Sequence, residues 1–122
     1  MFFPISSWFV ALLLTLAFEL PIAAWLLRRA EPNLGRRVAL VSFANLATHP
    51  AVWFVFTQLF LVGTVEYVIA AEGWAVAVEA LFFAVTIRGL GARQASVVAL
   101  VANGASFAVG RAIGAMSPDL FR

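Results

Sequence analysis

Glu19, His49, Glu72 and Glu79 are the side chains of this 122-residue chain best suited to chemistry. All four fall inside long apolar runs. A charged group at the centre of a bilayer costs about 2.5–3.5 kcal/mol on insertion scales, so such residues persist where they are paired or used. Carboxylates and an imidazole at similar depth bind cations or pass protons. Glu72 and Glu79 are seven positions apart and stack on one side of a helix, with Thr86 seven further on. Ser42, Asn45, His49 and Trp53 share a second face, and Asn103, Ser106, Gly110 and Gly114 a third. The cost of leaving these groups unpaired at similar depth therefore predicts an ion or substrate site made of Glu19, His49, Glu72 and Glu79. Asn45, Thr48, Asn103 and Ser106 are expected to orient it.

His49, Glu72 and Glu79 are also the candidate ligands of a divalent metal ion, because imidazole and carboxylate together suit transition metals. No HExxH pattern or second His supports that set. The competing reading is structural: protonated Glu residues bonding Asn, Thr or Ser between helices, each contributing about 1–2 kcal/mol at best. A lone His as a haem or pigment ligand is a weaker alternative. No catalytic set is visible: there is no Cys, no Gly-x-Ser-x-Gly and no Gly-rich phosphate loop, so no enzyme is expected. Glu66 is placed near the membrane boundary, where Arg111 either pairs with it or extends to water.

Two prolines adjoin the ionisable groups. Pro21 frees the carbonyl of Ala17 beside Glu19, and Pro50 that of Leu46 beside His49. Freed carbonyls near ionisable groups recur in ion and substrate sites. The plainer reading is a kink whose carbonyl is satisfied by Thr48 or a neighbouring helix.

The elements that must carry these residues follow from composition. The chain is 64% hydrophobic and only 11% charged, against about half and a quarter in soluble domains. A small soluble chain exposes too much surface for so few charges. That excludes a soluble enzyme, a disulfide scaffold and a disordered segment. All eight cations are Arg, the net charge is +2, and the Arg residues flank apolar runs rather than forming a nucleic-acid face.

Four runs are long enough to span a bilayer: residues 5–27, 38–62, 64–87 and 95–115. Their backbones must be satisfied internally, which predicts helices. Short connections predict antiparallel neighbours, so the expected fold is an all-α, up-down bundle forming a single membrane domain over 1–122. Met1–Pro4 carries no basic side chain, and Glu19 and Pro21 interrupt the first run, which favours a retained helix over a signal peptide. Arg28, Arg29, Arg36, Arg37, Arg88 and Arg93 lie in the first and third connections, against Arg111 and Arg122 opposite. The positive-inside rule then places both termini on the non-cytoplasmic side of an inner or plasma membrane. Trp8 and Trp25 are expected to anchor the two interfaces of the first span.

The halves 1–62 and 63–122 resemble each other. Glu19 precedes Arg28 by nine positions, as Glu79 precedes Arg88. Val-Ala-Leu-Val occurs at 38–41 and again at 98–101, followed by Asn45-x-Ala-Thr48 and Asn103-x-Ala-Ser106. Two hairpins of the same orientation, related by an axis along the membrane normal, are expected to bring Glu19, Glu79, Asn45 and Asn103 to a shared centre. The function expected is movement of a small cation, a proton or a divalent metal, by a transporter or channel. A homo-oligomer is expected because four helices enclose little space. The alternative is a non-catalytic subunit or assembly factor among other membrane subunits. An intramembrane metalloenzyme is a third class, without a visible catalytic set.

Overall fold

The computed structural model describes residues 5–121. The Met1–Pro4 stretch of the signal-peptide argument, and Arg122 of the charge count, lie outside the described residues.

Four long apolar helices make up the described chain, with no strand among the described residues. Helix α1 is Ile5–Leu26, and α2 is Leu34–Pro50. A π-helical segment, Ala51–Val55, and the short helix α3, Phe56–Leu59, continue α2 along the same path. Helices α4 and α5 are Val65–Thr86 and Ala92–Met116. A 3-10 turn, Pro118–Phe121, follows. The segments Ile5–Leu26, Leu34–Leu59, Val65–Thr86 and Ala92–Met116 are each long and apolar enough to cross a membrane.

Local capping moves the boundaries from those read by hydropathy. Asn33 Oδ1 accepts the Arg36 N–H at 2.9 Å, so α2 begins at Leu34 and takes Arg36 and Arg37 into its first turns. Thr64 Oγ1 accepts the Tyr67 N–H at 3.3 Å and starts α4 at Val65. The second long apolar segment stops at Leu59, because Phe60 is extended and Gly63 turns the chain with φ of 89°. That left-handed backbone is open to Gly at little cost.

Helix α1 packs on α2 and α5, and α4 also packs on α2 and α5. The four long helices thus form a ring in the order α1, α2, α4, α5, with α1 diagonal to α4. The interior is built from small residues: Ala23, Ala44, Ala80, Ala95, Ala99 and Ala102 are all buried. Large side chains point out, among them Phe43, Ile69, Leu81, Val85 and Leu100. Water would drive the opposite distribution. In lipid, Leu and Phe are solvated outside while small residues let helix backbones approach. The arrangement suits a membrane location.

The Arg-rich end is the better packed. Leu27, Phe83, Ile87, Leu90 and Ala95 belong to one cluster there, and Leu27 and Ala95 have no exposed surface. Arg36 Nη2 donates to the Thr86 carbonyl at 2.9 Å, and Arg37 Nη1 donates to the Ala24 carbonyl. Both cations therefore cap the C-terminal ends of neighbouring helices, α4 and α1, where carbonyls lack intrahelical donors. Arg36 also pairs with Glu31 at 3.3 Å.

Candidate functional site

The centre of the bundle holds six buried or half-buried polar side chains, five of which bond one another across helices. Glu19 on α1 and Glu79 on α4 are each 1% exposed. Ser106 Oγ of α5 lies 2.7 Å from Glu19 Oε1. Thr48 Oγ1 of α2 lies 3.1 Å from Glu79 Oε1. Asn103 Nδ2 donates to Glu79 Oε2 at 2.7 Å and to the Ala99 carbonyl at 2.9 Å. Asn45 Nδ2 donates to the Val41 carbonyl, also one turn back, at 3.1 Å. Glu19 thus bonds a hydroxyl from the second half of the chain, and Glu79 a hydroxyl from the first.

The hydroxyls have more acceptors than hydrogens. Thr48 Oγ1 is within 3.1 Å of the Ala44 carbonyl and 3.3 Å of the Asn45 carbonyl, besides Glu79. Ser106 Oγ is 3.0 Å from the Asn103 carbonyl, besides Glu19. Each hydroxyl can donate to an ionised carboxylate, or donate to its own helix and accept from a protonated carboxyl. The two hydroxyl bonds are satisfiable in both protonation states without moving a heavy atom, although only Glu79 has both oxygens engaged.

A cavity of about 640 Å³ lies beside this network. Glu19, Asn45, Thr48, His49, Glu72, Asn103 and Ser106 all line it, as Arg111, Gly110 and Gly114 do further along α5. Val62 and Ala115 extend its lining to the end away from the Arg-rich loops, which we call its mouth. The Leu27–Phe83–Ile87 cluster fills the other end of the bundle.

Of the four expected site residues, Glu19, His49 and Glu72 meet at this cavity. Glu79 does not line it; Thr48 and Asn103 stand at the wall and hold its carboxylate behind them. Glu72 is half-buried on the same helix, two turns toward the mouth. His49 faces Thr15 Oγ1 through Nε2 at 3.4 Å, and its ring stacks on Trp53 with centroids 6.2 Å apart. Its Nδ1 is buried with no hydrogen-bond partner.

His49, Glu72 and Glu79 do not form the metal set expected of them. Among the described residues no three His, Asp or Glu side chains stand close enough to hold an ion together. Both Glu79 oxygens are engaged by Thr48 and Asn103, and the imidazole is turned toward Thr15 and the aromatic rings. Of the two alternatives for Arg111, no ion pair with Glu66 forms among the described residues, and the side chain is exposed where it lines the cavity. Trp8 packs on His49 and Phe54, at 6.4 and 5.7 Å between centroids, while Trp25 stays exposed under the Arg28 guanidinium.

Pro50 is followed by the π-helical segment, and such segments often occur at functional positions. The wider turn carries Val52 and Trp53 to the cavity wall. Tyr67 Oη donates to the Val52 carbonyl at 3.3 Å, and Thr57 Oγ1 to that of Trp53 at 2.8 Å. Thr15 was missed as a site residue, although it lies one turn before Glu19 and on the same face. The aromatic lining, Phe18 and Phe107, carried no distinguishing signal in a chain with 12 Phe.

The fold and site define a four-helix bundle with a carboxylate-centred polar interior. No protein-family model matches the chain, and no curated protein or solved structure matches it.

Proposed function

We propose that this chain is an integral membrane transporter or channel for a small cation, with the proton as the species its centre handles. One observation carries the reading: two fully buried carboxylates, each bonded to a hydroxyl that can donate or accept, beside a cavity that runs toward one end of the bundle. A merely structural Glu needs one fixed partner. Here the hydroxyls serve the ionised and the protonated carboxyl alike, as a relay requires.

A proton entering the cavity meets Glu72 at mid-depth and Glu19 at the wall. Glu79, behind Thr48 and Asn103, is the next acceptor. Passage beyond it needs the Leu27–Phe83–Ile87 cluster to open. No three His, Asp or Glu side chains converge among the described residues, which favours the proton over a divalent metal ion.

The bonding supports an origin by duplication. Glu19, Asn45 and Ser106 have the same relations as Glu79, Asn103 and Thr48, except that Asn45 leaves Glu19 Oε2 without a bond. The ring order exchanges α1 with α4 and α2 with α5 under a two-fold axis along the bundle. With the Arg-rich loops cytoplasmic, the cavity faces outward.

Proton flux into liposomes, followed with an entrapped pH dye under an imposed gradient, tests the proposal. Wild-type protein should acidify the lumen, and Glu19→Gln and Glu79→Gln should abolish that flux while the protein remains folded. Unchanged flux in a Glu72→Gln/Glu79→Gln double variant overturns the reading and favours the assembly-subunit alternative, in which Gln preserves the hydrogen bonds.

A further inference from the structure

We infer that the cavity binds an organic ammonium ion: one N–H-bearing cationic head on an apolar, aromatic-sized body. The inference names the substrate class of the transport reading, but binding itself can be tested apart from transport.

The volume is the first ground. At about 640 Å³ the cavity is far larger than a bare ion needs and lies within the range of small-molecule sites, about 300–1,000 Å³. The second is the lining. Phe18, Trp53 and Phe107 contribute aromatic surface, which attracts an ammonium group and accommodates an apolar body. The third is an orphaned acceptor. Glu19 lines the cavity and is 1% exposed, yet its Oε2 is buried with no hydrogen-bond partner. Its counterpart oxygen on Glu79 receives the amide of Asn103, whereas the neighbouring Asn45 amide holds the Val41 carbonyl and makes no bond of ordinary geometry to Oε2. An unpaired buried carboxylate oxygen costs more than a neutral acceptor, and an N⁺–H donor is its strongest complement.

Charge selects the sign of the ligand. Glu19 and Glu72 both line the wall, and the one cation there, Arg111, is exposed. An anion would meet Arg111 only by displacing water from a well-solvated group, and would then face two carboxyls. A quaternary ammonium would satisfy the charge but offer Oε2 no hydrogen. Primary amines should therefore bind more tightly than their trimethylated forms.

Isothermal titration calorimetry of purified full-length protein in detergent supplies the test. The probes share one naphthalene body: naphthylmethylammonium, its trimethylammonium form, naphthylmethanol and naphthylacetate. Wild-type protein should bind the primary ammonium about tenfold or more tighter than the alcohol, with the acetate weakest. Glu19→Gln should remove most of that preference and leave the alcohol within about twofold of its wild-type affinity. Equal affinity for ammonium and alcohol, tighter binding of the acetate, or an undiminished preference in Glu19→Gln each overturns the inference. The wild-type comparison needs no variant, so a Glu19→Gln chain that does not fold leaves the test standing. Ammonium binding without proton flux would overturn the transport reading alone. Proton flux without ammonium preference would overturn only this inference.

Discussion

Ser106 Oγ lies 2.7 Å from Glu19 Oε1, joining residues 87 positions apart. Its counterpart, Thr48 with Glu79, joins the halves in the other direction. Removing either hydroxyl therefore loosens two helices of different hairpins and strips a carboxyl of its switchable partner.

Thr48→Val should separate these roles from packing, because it keeps the shape of the side chain. Glu79 Oε1 would lose its partner, at a cost of about 1–3 kcal/mol. The unfolding temperature in detergent should fall and proton flux should drop sharply. Thr48→Ser restores the hydroxyl and should recover most of both. A Val variant with full flux would show that Thr48 is only a helix contact.

Pro50→Ala should let α2 continue without the wide turn that follows it. A regular helix would rotate Trp53 away from its stack on His49. Tryptophan emission should shift, and flux should fall, while the unfolding temperature stays level or rises because Ala is the better helix former. An unchanged emission spectrum would show that the proline does not set the π-helical turn.

Arg37→Met removes the donor to the Ala24 carbonyl while keeping a long apolar stem. Hydrogen bonds to charged groups contribute about 1.5–3 kcal/mol, so thermal unfolding should occur at lower temperature. Arg29→Met provides the contrast, since Arg29 is exposed, and its effect should stay within about 0.5 kcal/mol. Equal effects from the two would leave the cap without energetic weight.

Reporter fusions test the orientation. A fusion at Gly89, in the turn after α4, should report the cytoplasm, and one at the C-terminus the opposite side. A cytoplasmic C-terminus would turn the cavity mouth inward.

The four apolar helices, their short connections and the residues of the polar centre were legible in the sequence. Hydropathy over about 20 residues marks a span whatever its neighbours are, because the solvent alone imposes it. Rare polar residues at helical spacing likewise announce an inward face. Asn45, Glu79, Asn103 and Ser106 are legible by spacing, and Glu19 and Thr48 by the repeat that pairs them with Glu79 and Ser106. Boundaries were less legible, since Asn33 and Thr64 act through single side-chain bonds that hydropathy does not register.

Which polar groups meet was decided only in three dimensions. Spacing along one helix fixes a face, but the azimuth of that face against three other helices depends on how the small residues pack. For that reason Glu79 sits behind Thr48 and Asn103 instead of on the cavity wall, and His49 turns to Thr15 and Trp53 rather than to carboxylates. The π-helical turn after Pro50 and the unpaired oxygen of Glu19 are of the same kind. Both arise from a competition among donors, acceptors and packing that involves several helices at once, and no single stretch of sequence contains it.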